Sequence, residues 1–371
     1  MTDPPAPPIL VHVLNGLALG GNEHLCLQLV RHAPSSIQHR VLNLNPDCQT
    51  MRSQFLDAGA QVVDCAYHPR QRLRFVRQVV AYFQRQRPLA VVVYTFGLHV
   101  LVGLAARLAG VATVVARAGN PLPRDPGRQQ LWVRIVQGSR LLGMPIYSCS
   151  QAVHESFTRV TSLPVGSRAI PNGCDLQAIA RRAQQTRQSR SDRPTVIGMV
   201  ARLNAIKDQA TLLRAIALLH ADYPEIALWL VGDGDQRSSL EALAVDLGLA
   251  KVVTFWGDRA DVPDLLGKMH LYAFSTTADE GFGIALIEAM AAGLPMVASD
   301  VPACREVLGT AGCLVPPGDA PSLAAALGTW LDPALRQPWG DRAYQRALEH
   351  YTMDICAATW YGELGWTQEV V

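Results

Sequence analysis

Short β-branched runs alternate with helix-period segments twice over along this chain, and that alternation admits few folds. In the first half the runs fall at residues 9–14, 38–44, 61–64, 90–94 and 113–116, interleaved with helical patterns at 21–32, 51–58, 72–86 and 100–108. A helix after each strand predicts a parallel sheet covered on both faces, since parallel neighbours need a long crossover. The series breaks in the polar, arginine-rich stretch 184–194, read as a linker, and resumes with strands at 195–200, 226–231, 252–255 and 271–274. Helical segments at 209–220, 238–247 and 262–268 separate these strands, and those at 323–331, 341–350 and 352–364 close the chain. The expectation is an α/β protein of two Rossmann-like, doubly wound domains, 1–176 and 177–351, with a C-terminal helix in 352–371 crossing back to the first. Two such sheets facing across a cleft would bring the carboxyl ends of both strand sets together, where ligands bind in this architecture.

Composition excludes several classes. With 371 residues, 49% apolar and 17% charged, the chain can build two cores and is neither a disordered tail nor a small disulfide scaffold. The N-terminus has no basic region or cleavage site of a secretory signal. The uncharged run 89–106 is interrupted by Gly97 and His99, so it reads as strand, loop and helix, not a membrane span. Eight scattered cysteines without a C-x-x-C pair argue against zinc or a disulfide framework, and a reducing cytoplasm is expected.

Charge is divided along the chain. Residues 1–180 hold 17 arginines, no lysine and 8 acids, a balance of +9, whereas residues 181–371 carry −7. A basic half suits a polyanionic partner such as an anionic membrane or lipid diphosphate, although an arginine-rich surface can also be merely solvated. Nucleic acid is not expected, because no recognised module or aromatic platform accompanies the arginines.

The sharpest chemistry lies in the segment containing Glu280, Gly281, Phe282, Gly283, Ile284 and Glu288, which follows a strand and opens an apolar helix. The glycines would leave first-turn N–H groups open to a phosphate. Glu288, alone on an apolar helix, needs donors that a ribose diol supplies, unless an arginine pairs with it and the glycines only make a turn. Arg202 offers a planar fork and Lys207 a point charge in the loop leaving another strand, a combination suited to a diphosphate. Asp233 and Asp235 form a D-x-D, read as a turn with a helix N-cap in preference to a metal site. Gly232 to Arg237 lacks the last glycine of a dinucleotide fingerprint.

The E-x7-E segment with Ala-Met-Ala-Ala-Gly-Leu-Pro after it resembles the donor signature of the GT-B glycosyltransferases of family four, mostly retaining nucleotide-sugar transferases. Val200 to Leu203 with Lys207-Asp208, the Gly232 to Asp235 turn, Phe255-Trp256-Gly257, Arg305-Glu306-Val307 and Leu314 to Asp319 follow in that family's order. Gly20 and Gly21 resemble its first glycine loop, and Ile170 to Asp175 its interdomain motif. The resemblance implies the GT-B architecture, with an acceptor-binding first domain and a donor-binding second one. It implies Gly20, Gly21, Arg202, Lys207, Gly257, Gly281, Phe282, Gly283, Ile284 and Glu288 at a UDP- or GDP-sugar. Glu280 would orient the sugar and Arg202 with Lys207 would stabilise the leaving group. Retention, no enzymic nucleophile, no cofactor and no metal follow from the same resemblance. A nucleotide-sugar epimerase of the same fold and a silent sugar-nucleotide binder are the alternatives.

The acceptor side departs from the family. Where many members carry a histidine the chain reads Arg117 to Asn120, so Arg117 or Asn120 is expected to take its place, with His99 as another candidate. In helix 72–86, Leu73, Val76, Val80 and Phe83 are expected inward and Arg70, Arg74 and Arg77 outward. Arg124, Arg128, Arg134 and Arg140 surround Trp132, which if exposed could join them on anionic lipid. A lipid-linked sugar at the inner face of the cytoplasmic membrane would then be the acceptor, and otherwise a soluble sugar or alcohol.

Overall fold

The computed structural model describes residues 7–18, 20–189 and 194–366. The chain divides into two compact units, residues 1–173 with 353–371, and residues 174–352. Unit 1 holds strands β1 (Ile9–Leu14), β2 (Gln38–Asn43), β3 (Gln61–Asp64), β4 (Ala90–Val93), β5 (Thr113–Ala118), β6 (Ile146–Ser148) and β7 (Arg168–Ala169). They pair in the order β3-β2-β1-β4-β5-β6-β7, all parallel. Unit 2 holds β8 (Thr195–Val200), β9 (Ile226–Val231), β10 (Val253–Gly257), β11 (Leu271–Phe274), β12 (Met296–Ser299) and β13 (Cys313–Val315) in the parallel order β10-β9-β8-β11-β12-β13.

Both sheets are doubly wound, and their central strands are buried on both faces. Every residue of β4 (Ala-Val-Val-Val) and of β11 (Leu-Tyr-Ala-Phe) is buried, the pattern of a parallel strand under helices on each side. The unit 1 core includes Leu14, Val41, Phe55 and Val92, and it is completed by Trp360 and Tyr361 from the helix Met353–Glu363. Tyr361 donates its hydroxyl to the Leu29 carbonyl at 2.5 Å, fastening this last helix to the helix Gly21–Arg31.

Two sequence expectations are corrected here. The start of the arginine-rich stretch read as a linker is helical, because the helix Leu176–Arg187 runs through Gln184 to Arg187. Asp175 accepts from the Ala178 N–H as its N-cap, and it buries Leu176 and Ala183, a stripe too sparse to show as a period. Residues 190–193 of that stretch lie outside the described residues. In the helix Arg72–Gln86 the buried face is Phe75, Val79, Tyr82 and Phe83, while Leu73 is 82% exposed. Arg70, Arg74 and Arg77 are exposed as expected.

Two histidines in the unit 1 core bear on its response to acid. His12 Nε2 lies 2.9 Å from His39 Nδ1 and His12 Nδ1 lies 3.1 Å from the Tyr94 hydroxyl, all three residues being buried. Burial lowers both histidines, His39 to about 4. The unfolded chain therefore binds protons below about pH 6.5 that the folded unit refuses. Stability is full above that value and falls as pH drops from about 6.5 towards 4, by about 1.4 kcal/mol per pH unit for each proton. Hydrogen exchange at the amides of Val11 and Val41, corrected for intrinsic rates, is expected to show lower protection at pH 5 than at pH 7. Equal protection at both would mean that the pair is not held neutral.

Candidate functional site

In unit 2 the strand order reverses between β8 and β11, and loops at such a switch point diverge to leave a crevice beyond the carboxyl ends of the strands. The loop after β8 carries Arg202 and Lys207, and the loop after β11 carries Glu280. The two loops are tied together, the Thr277 N–H and the Thr276 hydroxyl both donating to the Ile206 carbonyl at 2.8 and 2.9 Å. Ser275 adds a bond to the Lys207 carbonyl.

The β8 loop is held from behind by the glycine turn after β9. The Leu203 N–H donates to the Asp233 carbonyl and the Gln236 N–H to the Leu203 carbonyl, each at 3.0 Å. A Cβ on Gly232 would overlap the Ala201 carbonyl oxygen, and one on Gly234 the Leu203 carbonyl oxygen. Two backbones can meet this closely only without side chains. The result presents Arg202 to solvent with no hydrogen bond or ion pair on its guanidinium among the described residues.

Lys207 closes a short 3-10 turn, Ala205–Lys207, and Asp208 follows in the left-handed region at φ 43°. That conformation, uncommon for a non-glycine residue, lets Asp208 cap the helix Gln209–Asp222 through the Thr211 N–H. It also fixes where Lys207 leaves the backbone. The Lys207 ammonium forms an ion pair with Glu280 and lies 4.9 Å from the centre of the Phe274 ring. The Thr276 hydroxyl, whose single proton is shared with the closer Ile206 carbonyl, also lies 3.3 Å from the same Glu280 oxygen, so two groups border one carboxylate. With side-chain exposures of 19% and 9%, the Lys207–Glu280 pair is largely withdrawn from water.

Beyond Glu280 the chain turns at Gly281, Phe282 and Gly283 into the helix Ile284–Ala291. Gly283 has φ 83°, a value suited to glycine; the Leu286 N–H donates to the Gly283 carbonyl at 2.9 Å, and no side chain caps the helix, which leaves the N–H groups of Ile284 and Ala285 open among the described residues. Phe282 is buried and packs edge-on against Tyr351. Glu288 is the one ionisable residue of this helix, and its carboxyl makes no hydrogen bond or ion pair among the described residues. Burial pushes it up to about 7. The arginine partner that would have made Glu288 purely structural is missing. Gly257 ends β10 at φ 67° and accepts from the Gly232 N–H at 2.8 Å.

The D-x-D is a turn, as expected, but its cap differs. Asp233 accepts from the Gly234 N–H at 2.7 Å and pairs with Arg237 at 3.4 Å. Gln236 occupies the N-cap of the helix Arg237–Asp246 without a side-chain bond, so neither aspartate caps it. Among the described residues no group of three or more His, Cys, Asp or Glu side chains could hold a metal ion.

In unit 1 the corresponding reversal lies between β1 and β4. Gly20 is the N-cap and Gly21 the first residue of the helix Gly21–Arg31, and Asn22 donates to the Tyr94 carbonyl after β4 at 3.3 Å. A Cβ on Gly119 would lie 3.4 Å from the Asn22 amide oxygen, so the loops after β1 and β5 adjoin, with Asn120 exposed beside them.

The other two acceptor candidates are corrected. His99 is fully buried; its Nδ1 accepts from the Gly97 N–H at 2.9 Å and its Nε2–H donates to Ser139 at 2.8 Å, with burial lowering it to about 3. Arg117 is 1% exposed and points into the core. Its guanidinium donates to the carbonyls of Tyr147 and Ile170 at 3.3 Å and to the Asn172 side chain, and it lies over the Trp360 ring. Both are spent on packing. Trp132 is half-buried against Phe96 and Phe157, so it is no exposed anchor. Sequence reading missed Thr276 and Phe274, which border the Glu280–Lys207 pair; the run of small polar residues directly after β11 was the available signal.

Two doubly wound parallel domains with these strand orders, one carrying the cation and carboxylate loops at its switch point, define the GT-B glycosyltransferase fold. Anabaena HepE, solved with UDP and glucose, superposes with a TM-score of 0.84 over 96% of this chain and 99% of its own at 22% identity. The lipopolysaccharide-biosynthesis glycosyltransferase WaaG superposes at 0.74 over 96% and 100%, at 17% identity. Residues 194–332, most of unit 2, match the family of glycosyl transferases group 1. The phosphatidyl-myo-inositol mannosyltransferase of Mycolicibacterium smegmatis is 37% identical over 214 residues, 56% of this chain and 54% of its own length. The lipopolysaccharide core biosynthesis glycosyltransferase LpsE of Rhizobium meliloti is 31% identical over 44% of this chain and 47% of its own. The matches thus span about half the length of both relatives.

Proposed function

We propose that this protein transfers a hexose-type sugar from a UDP- or GDP-sugar to an acceptor hydroxyl, with retention and without a bound metal. The observation that carries this reading is the unpartnered Arg202 guanidinium beside the Lys207–Glu280 pair at one switch point. A departing nucleoside diphosphate needs its developing charge neutralised, and a fixed fork and a point charge supply that in a partly desolvated place. Arrival of the diphosphate gives Lys207 a second anion to serve, which frees lone pairs of Glu280 to accept from hydroxyls of the sugar. The N–H groups of Ile284 and Ala285 at the start of the helix suit the phosphates, and the unpaired Glu288 suits the ribose diol. In this reading no side chain acts as nucleophile: the acceptor oxygen bonds to the sugar carbon on the face from which the diphosphate leaves, the bond to the diphosphate oxygen breaks, and the acceptor proton passes to that departing oxygen.

The acceptor is a lipid-linked sugar or growing glycoconjugate met at an anionic membrane surface. Helices Arg72–Gln86, His99–Leu108 and Pro126–Leu141 carry no carboxylate. Leu73 and Leu141, 82% and 90% exposed, stand beside Arg72, Arg74 and Arg140. Each arginine near such a surface contributes about 1 kcal/mol. Among the described residues no helix is long and apolar enough to cross a membrane. The relatives named for phosphatidyl-myo-inositol and lipopolysaccharide core support an amphiphilic acceptor.

The test is a thermal-shift panel of UDP, GDP, ADP and their common sugars with and without EDTA, since a ligand that binds only the folded state raises the melting temperature. One nucleotide class is expected to stabilise the protein in EDTA. A shift abolished by EDTA would reject metal-free binding, and no shift from any nucleotide would reject the donor site.

A further inference from the structure

The helix Arg72–Gln86 and the edge strand β3 do not close against each other. A helix packing on a sheet edge ordinarily lays apolar residues against it. Here the stripe facing β3 carries Gln71, Arg74, Gln78 and Arg85 among Phe75 and Tyr82, and between helix and strand lies an open cavity of about 470 Å³. Phe75, Val63 and Leu42 form its apolar floor, and Cys65 and His68 its end.

Its polar groups are unequally served. Tyr82 is 6% exposed, and its hydroxyl is buried without a hydrogen-bond partner. An unmade bond at a buried hydroxyl is costly, so such a group ordinarily finds a partner. Arg40 and Arg85 both act electrostatically on that hydroxyl, and the Arg40 Nε is likewise buried and unpartnered. Among the described residues Arg85 makes one bond, from Nε to the Ala81 carbonyl at 3.3 Å, and its terminal nitrogens make none. The one carboxylate in the wall, Asp64, is already held by Arg52 at 2.8 Å and Asn43 at 2.9 Å. Arg74 donates to the Gln71 amide oxygen at 3.2 Å, which leaves its charge unneutralised. The cavity therefore offers guanidinium groups without a carboxylate partner and a buried hydroxyl, with amides of Gln71 and Gln78 beside them.

We propose that this cavity in unit 1 binds a phosphate ester of a small polyol, the phosphate held by Arg74, Arg85 and the Tyr82 hydroxyl and the polyol by the glutamine amides. Guanidinium forks match phosphate oxygens, and a donor buried beside them adds direction to the charge. The same chemistry is presented by a soluble sugar phosphate and by a phospholipid headgroup. The inference is independent of the donor-site reading, because it uses no residue of unit 2.

Binding of sn-glycerol 3-phosphate to the full chain, followed by calorimetry and by the rate of Cys65 alkylation mapped by mass spectrometry, tests it. The ester is expected to slow Cys65 alkylation several-fold, whereas glycerol does not. Arg85→Gln is expected to weaken binding about tenfold and Tyr82→Phe about threefold, with Lys207→Ala leaving it unchanged. Tighter binding of monomeric dihexanoyl phosphatidylglycerol than of the free ester would support the site and make a lipid headgroup its ligand. The reverse preference would support a soluble ester. Binding of neither, protection undiminished in both cavity variants, or binding lost in Lys207→Ala would overturn the proposal.

Discussion

Replacing Glu280 or Lys207 by alanine is expected to lower turnover about a hundred- to a thousandfold, the scale on which one preorganised electrostatic partner is worth in a transition state. Without Lys207 the departing diphosphate keeps only Arg202 and open backbone N–H groups. Without Glu280 the sugar loses its orienting acceptor, and Lys207 is left against Phe274 and the ligand alone. Because the two side chains are paired with each other, their losses should not add, and the double variant is expected to turn over about as slowly as the worse single one. Release of nucleoside diphosphate from whichever donor stabilises the protein measures this, with circular dichroism checking that the fold persists. Wild-type turnover in both single variants would refute the assigned site.

The second large effect is expected at a residue that touches no substrate. Gly234 does not have a left-handed φ, so Gly234→Ala tests space alone, and its Cβ would meet the Leu203 carbonyl. The obstacle is backbone on a loop pinned by Asp233 and Gln236, so it yields only by shifting the 201–203 segment. Overpacking of this kind costs about 1–3 kcal/mol, a fall of about 5 °C in the melting of unit 2. Since the shifted segment carries Arg202, nucleotide affinity should drop about tenfold or more in the same variant. Gly362→Ala, where an added Cβ meets nothing, is the control and should change neither quantity. A Gly234→Ala protein with native melting and native nucleotide affinity would show that this contact does not set the loop.

What the sequence disclosed follows from which physical signals are local. Strand and helix succession was legible because parallel strands buried on both faces are continuous apolar runs, as β4 and β8 are. The unit 2 site was legible because its glycines, lone carboxylates and cations fall in consecutive loops. Which way a side chain turns at a strand end is not local. Five of the six residues in β5 are buried on either face, so no polar alternation marked Arg117 as inward. His99 gave no sign that Ser139, forty residues on, would accept a hydrogen bond from its Nε2–H. Leu73 looked like core because the helix pattern admits two overlapping faces, and tertiary packing against the helix His99–Leu108 chose the one through Phe75 and Val79. The helix Leu176–Arg187 was hidden because arginines and glutamines hold its exposed positions and only Leu176 and Ala183 are buried.

The helix Met353–Glu363 gives the order of synthesis a part in folding. Trp360 and Tyr361 fill the middle of unit 1, with Arg117 against one ring and the Leu29 carbonyl bonded to the other residue. A ribosome adds about 5–20 residues per second, so the nascent first unit waits roughly ten to thirty-five seconds, while residues 174–352 are made, for the piece that closes it. Unit 2 is contiguous and can mature during that interval. A chain interrupted before Met353 therefore leaves unit 1 without Trp360 and Tyr361, its apolar slot open to chaperones.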